Sequence, residues 1–171
     1  MKREEFNITV LPLQDKLFRF AVSILKNINN AEDALQEVLI KLWERKDDLS
    51  KYNSVEAFAM RMMKNHCIDR LRRVNNNIDI NDNLLDKNEV TPERQTVLKD
   101  TINLAYRLIE QLPPTQQMIM RLRDVEEYDL NEIAEIMEMN PNAVRTNLSR
   151  ARQTVREQLL KIELFGIQMK A

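Results

Sequence analysis

The chain has 171 residues, with 26 Lys and Arg against 27 Asp and Glu, and only one Gly, one Cys and one His. A single glycine cannot furnish the positive-φ turns of a sheet-rich fold or the glycine loops that cradle phosphates and dinucleotides. One cysteine and one histidine exclude an intramolecular disulfide and a multi-cysteine zinc site, so no metal or other cofactor is expected.

Hydrophobic residues at 43% can build a core, yet no uncharged apolar run approaches the ~20 residues of a membrane span. The opening Met1-Lys2-Arg3-Glu4-Glu5 has no apolar signal core behind it. These features predict a soluble, cytoplasmic, all-α protein without membrane insertion. Catalytic side chains form no acid–base, nucleophile or metal set, so no enzymatic activity is expected.

In chain order, Leu17, Ala21, Ile24 and Leu25 form a short helical stripe. Ala31, Ala34, Leu35, Val38, Leu39, Leu42 and Trp43 follow at spacings of three and four, with Asn30 placed as the N-cap. Phe58, Ala59, Met62, Met63, Cys67 and Leu71 form a third stripe, opened by Ser54. Together they predict an N-terminal bundle, residues 1–75. The asparagine-rich, aperiodic stretch that follows reads as a linker, 76–97, because asparagine side chains compete with helix hydrogen bonds.

Periodicity returns in a second small domain, 98–171, with Leu98, Ile102, Ala105, Leu108, Ile109 and Leu112. Pro113 and Pro114 stop that helix, and Thr115 begins the next, through Leu122. Two further helices, Asn131 to Met137 and Pro141 onward, are separated by Glu138-Met139-Asn140, the layout of a helix-turn-helix. Asn140 suits an N-cap and Pro141 the first helical position.

The near-zero net charge conceals strong segregation. Residues 61–73 carry five bases and one acid, and residues 140–161 again five and one, so each segment is +4. Residues 124–138 hold seven acids and no base. Two basic segments can engage a polyanion locally while the molecule stays near neutral. On the last helix the outward positions are Asn142, Ala143, Arg145, Thr146, Ser149, Arg150 and Arg152. Short polar or methyl-bearing groups followed by arginines suit base edges and phosphates. On the earlier basic helix Arg61, Lys64, Asn65, Ile68, Asp69 and Arg72 lie away from the apolar stripe. Before it, Lys51-Tyr52-Asn53-Ser54 is a polar loop whose aromatic can stack on an unpaired base.

These residues carry a resemblance. Ala31 to Trp43 resembles the polymerase-binding segment of the extracytoplasmic-function sigma factors of bacterial RNA polymerase. Ala57 to Arg73, with Asn65, Asp69 and Arg72-Arg73, is similar to the family's helix that opens the −10 element. Leu112-Pro113-Pro114, Ile133 to Met137 and Val144 to Arg152 resemble its −35-reading domain. The resemblance implies that Asp33, Gln36, Glu37 and Lys41 contact core RNA polymerase. It also implies that Lys51, Tyr52 and Asn53 capture a flipped −10 base while Arg61, Lys64, Asn65 and Arg72 hold the separated strand. Helix 141 onward would enter the −35 major groove, and the acidic linker would thread toward the RNA exit path. An anti-sigma factor is an implied partner beside polymerase and promoter DNA. The sequence departs from the family at the turn, where Glu138 replaces the usual glycine. The alternative is a stand-alone helix-turn-helix regulator, which leaves the N-terminal motif unexplained.

Overall fold

The structure is a computed structural model that describes the backbone of residues 2–76 and 97–168 and the side chains of 2–73 and 102–162. The expected linker therefore lies almost wholly outside the described residues, as does the side chain of Leu98. Every regular element among the described residues is helical. The described residues divide into two compact units, 2–76 with 135–138 and 97–134 with 139–168.

In the N-terminal domain, α1 (Arg3–Val10), α2 (Gln14–Leu25), α3 (Ile28–Glu44) and α4 (Val55–Asn76) follow one another, with α2, α3 and α4 packed on each other. Spacings of three and four place Ala31, Ala34, Val38 and Leu42 of α3 at 0% exposure against Leu17, Phe20 and Ala21 of α2 and Met60, Met63 and Cys67 of α4 in the core. Each fully buried large side chain contributes ~1.5–3 kcal/mol.

The N-cap of α3 is Asn27, not Asn30: the Asn27 Oδ1 accepts the Asn30 backbone N–H at 2.9 Å. The helix begins one turn earlier than the apolar stripe because Ile28 and Asn29 need no core contact to extend it. Ser54 does cap α4, its Oγ accepting the Ala57 N–H at 3.0 Å. Helix α1 has no apolar stripe in the sequence, since it anchors through only Phe6 and Val10. At the other end of α4, Leu71 is exposed rather than core.

The C-terminal half of the chain contains α5 (Val97–Glu110), α6 (Pro114–Met120), α7 (Leu130–Met137), whose last residues group with the first unit, and α8 (Pro141–Gln168). Leu108, Ile109 and Leu112 are buried as the stripe predicts, but Ile102 is 54% exposed. The helix after the proline pair does not simply end at Leu122. It continues as a π turn, Arg121–Val125, in which the Glu126 N–H donates to the Arg121 carbonyl at 3.0 Å. Asp129 then caps α7, its Oδ1 accepting the Asn131 and Glu132 N–H groups while the Glu132 carboxylate takes its own N–H.

The α7–α8 turn shows how a glycine-poor chain stops a helix. Glu138 takes φ 56°, the Met139 N–H donates to the Ala134 carbonyl at 3.0 Å and the Glu138 N–H to that of Glu135 at 3.3 Å. This is the Schellman arrangement, with glutamate at the left-handed position that glycine usually holds. Lys26 (φ 54°) and Glu127 (φ 63°) are the other non-glycine residues of this kind among the described residues. The conformation costs an L-residue about 1–2 kcal/mol.

Candidate nucleic-acid interface

On α4, Asn65 and Arg72 are exposed and Arg61 is half-buried, as the helical spacing predicts. Lys64 is a correction: only 5% of it is exposed. Positions 60, 63, 64 and 67 are one continuous face, so Lys64 lies on the inner side of the boundary that sequence reading drew. Asp69 and Arg72 form a loose pair at 3.7 Å.

The loop before α4 is pinned by Leu49, which is fully buried, and Lys51 pairs with Asp48. Asn53 is exposed at its tip. The Tyr52 ring stacks on Phe58 with centroids 3.8 Å apart and planes at 19°. The Arg61 guanidinium lies 5.4 Å from the same Phe58 centroid. Phe58 is 4% exposed, so it is a fixed shelf that holds one face of Tyr52 and attracts Arg61 electrostatically. Sequence reading assigned Phe58 to the core stripe alone. An aromatic six residues from Tyr52 and one turn before Arg61 was the signal available.

Across α3, Asp33, Gln36, Glu37 and Lys41 are all exposed. Asp33 and Gln36 occupy the helix face opposite Ala31, Ala34 and Val38, whereas Glu37 and Lys41 lie on its flank. Two of the acids touch α4: Arg70 donates from one Nη2 to Asn30 Oδ1 (3.0 Å) and Asp33 Oδ2 (3.1 Å), and His66 Nε2 lies 3.6 Å from Glu37 Oε2. Burial holds the His66 imidazole below its ordinary pKa, against the opposing pull of Glu37. Burial also pushes the Cys67 thiol up to about 12, so this cysteine is an unreactive core group. Nearby, Trp43 meets Phe6 edge-on at 5.0 Å, with the Lys46 ammonium 4.8 Å from its ring.

On α8, Val144, Leu148, Ala151 and Val155 are buried, which turns Asn142, Arg145, Thr146, Ser149, Arg150 and Arg152 to solvent and leaves Ala143 half-buried. Asn140 Oδ1 accepts the Asn142 N–H at 2.8 Å, so the helix starts where its cap and Pro141 require. The Asn142 side chain in turn accepts from Arg145 Nη1 at 3.0 Å. The Thr146 hydroxyl donates to the Asn142 carbonyl, leaving its lone pairs and methyl for a base edge. Arg145, Leu148, Ser149, Arg152, Gln153 and Arg156 line an open groove of about 390 Å³. Gln153 and Arg156 were missed from sequence because they lie beyond the first turns, where base readers are sought.

A helix-turn-helix with an arginine-rich second helix, in one chain with a helical bundle bearing an aromatic shelf and a basic face, defines a two-domain DNA-binding transcription protein. Comparison with known proteins makes the class specific. Residues 10–76 match Sigma-70 region 2 and residues 102–155 match Sigma-70, region 4. The chain is 25% identical over 157 residues to the ECF RNA polymerase sigma factor SigW of Bacillus subtilis, covering 85% of this chain and 84% of that one. It is 28% identical to the RNA polymerase sigma-H factor of Pseudomonas aeruginosa, covering 90% and 85%. In fold it is similar to the sigma factor RpoE solved with the anti-sigma factor NepR from Bartonella quintana. There the TM-score is 0.77 at 20% identity, covering 91% of this chain and 97% of that chain. CnrH, solved with the cytosolic domain of CnrY, gives a TM-score of 0.68 at 16% identity, covering 92% and 89%.

The chain belongs to the extracytoplasmic-function sigma factors. Its function is that of an RNA polymerase sigma factor, conferring promoter recognition and DNA opening in transcription initiation, and the family is non-catalytic. No helix among the described residues is long and apolar enough to cross a membrane.

Proposed function

We propose that the two domains divide promoter recognition between α4 with its preceding loop at the −10 element and α8 at the −35 element. The outer face of α3 joins core polymerase, with Asp33, Gln36, Glu37 and Lys41 as its contacts. Tyr52, held on one side by Phe58, offers its other face and the Lys51–Asn53 loop to an extruded −10 base. Unstacking costs a few kcal/mol per base, and stacking on an aromatic returns ~1–3 kcal/mol. Arg61, Asn65 and Arg72 hold the separated strand, while Lys64, being buried, supports the helix.

Asn142, Ala143, Arg145, Thr146, Ser149, Arg150 and Arg152 form the −35 contact surface. The protein acts in the cytoplasm and catalyses no reaction of its own. An anti-sigma factor holds it inactive, a partner class supported by the sigma factor RpoE, which was solved with the anti-sigma factor NepR.

The observation that carries this reading is the outward position of Asn65, Arg72, Arg145 and Arg150, each exposed on its helix. Reconstituted run-off transcription tests it: the chain with core enzyme yields promoter-specific transcripts, and no specific transcript from any genomic promoter refutes it. A gel shift on duplex DNA separates the stand-alone regulator, which binds tightly without polymerase, from the sigma factor, which needs it.

A further inference from the structure

Arg152 differs from the other cations on the outer face of α8 in being gripped along one edge. Its Nε donates to Asp124 Oδ2 at 3.1 Å, and its Nη2 donates to Asp124 Oδ1. Asp124 belongs neither to α7 nor to α8. It sits in the π turn Arg121–Val125, where the fully buried Leu122 anchors the segment and the i→i−5 hydrogen bond changes the helical register. Insertions of this kind re-aim the residues that follow them, and here the carboxylate is aimed at α8.

The geometry of the pair leaves Arg152 usable. A guanidinium has five N–H groups in one plane, and Asp124 engages two of them. The Asp124 side chain is 30% exposed and that of Arg152 is 51%, so the cation stands in front of the carboxylate. Arg152 lines the same groove as Arg145, Ser149 and Arg156, and three of its five N–H groups are not engaged by Asp124. Anchoring a long side chain before binding removes the cost of ordering it afterwards.

We propose that Asp124 is a positioning residue for −35 recognition, holding Arg152 so that its free edge meets a backbone phosphate and fixes the register of α8 on the duplex. The inference rests on the reading of Arg152 as a DNA contact. Backbone contacts orient a protein so that its base-reading groups fall in place, so losing this one lowers discrimination as well as affinity. A carboxylate that merely masked Arg152 would have the opposite signature, because its removal would strengthen attraction to any DNA.

The test uses holoenzyme formed with the full chain and a promoter with its −35 element intact or scrambled, titrated with salt. Asp124→Asn is expected to lower the preference for the intact element about three- to tenfold. It is also expected to reduce the slope of log affinity against log salt by ~0.9, the share of one phosphate. Added to Arg152→Ala, Asp124→Asn changes neither quantity further. Arg152→Lys keeps the charge but not the planar fork, and lowers the preference as Asp124→Asn does, a second measure should Asp124→Asn unfold the domain. Tighter binding to both DNAs with an unchanged preference overturns the proposal in favour of masking. If Arg152→Ala changes neither preference nor slope, the DNA-contact reading of Arg152 fails. If Arg152→Ala lowers them and neither Asp124→Asn nor Arg152→Lys does, only the positioning role fails.

Discussion

Helices α4 and α8 carry similar basic segments, yet α4 packs against α1, α2 and α3 whereas α8 packs on α5 and α6. The consequence is visible cation by cation. In α4, Arg70 is drawn to Asp33, Arg72 leans on Asp69, Arg61 lies over Phe58 and Lys64 is buried. In α8, Arg145, Arg150 and Arg152 are all exposed, and the partners of Arg145 and Arg152 leave free N–H groups. Equal charge in the sequence therefore becomes unequal charge on the surface. The α4 side offers stacking and hydrogen bonding more than raw charge, which suits an unpaired strand. The α8 side offers arginines along a groove, which suits duplex edges and phosphates.

The comparison can be broken first at the level of the domains. Leu42→Ala and Ile119→Ala each truncate a fully buried side chain, one in each domain, and each should cost ~2–5 kcal/mol. Calorimetry should show each change confined to its own domain; a single transition shifted by both would abolish the division. At the level of the interfaces, Arg145→Ala and Arg150→Ala should each weaken promoter binding by holoenzyme by ~1–3 kcal/mol. Arg72→Ala should cost less, being already shared with Asp69, and an equal or larger loss would reverse the contrast. Asp33→Ala should weaken association with core polymerase by ~1 kcal/mol in a titration, with −35 duplex contacts unchanged.

Smaller effects sharpen the picture within each domain. Glu127→Gly should stabilise the C-terminal domain by ~0.5 kcal/mol in thermal denaturation, the relief of left-handed strain less the entropy that glycine adds. The smallest change concerns the N-terminal domain and pH. His66 has a folded pKa below its ordinary 6.5, so its contribution is complete above that value and is lost as pH falls through the folded pKa. Melting curves should show this decline as pH falls below 6.5, and His66→Gln should lack that component.

Much of this was legible because it depends on local chemistry. Ser54, Asn140 and Pro141 marked helix starts correctly, since a cap needs only its own side chain and the next few N–H groups. The core faces of α3 and α8 followed from spacing, except that Trp43 at the end of the α3 stripe is exposed. The failures lie where position is decided by something other than period. Asn30 was displaced as a cap by Asn27, an equally competent asparagine one turn away. Lys64 sits on a boundary that helical geometry leaves ambiguous to within one residue. Helix α1 has only two apolar anchors, too few to announce a stripe. The Tyr52–Phe58 shelf joins a loop to a helix, and no helical period relates residues on opposite sides of a turn.

By itself the sequence determined that the chain is helical, that it has two basic segments, where most helices begin, and which family motifs it carries. These follow from one glycine, from spacings of three and four, and from capping residues that act within a single turn. Only the tertiary structure decided which cations remain available. That choice depends on neighbours distant in sequence: Asp33 for Arg70, Phe58 for Arg61, and a π turn that brings Asp124 to Arg152. Charge is a property of a residue, whereas the direction in which it can be used is set by what folds against it.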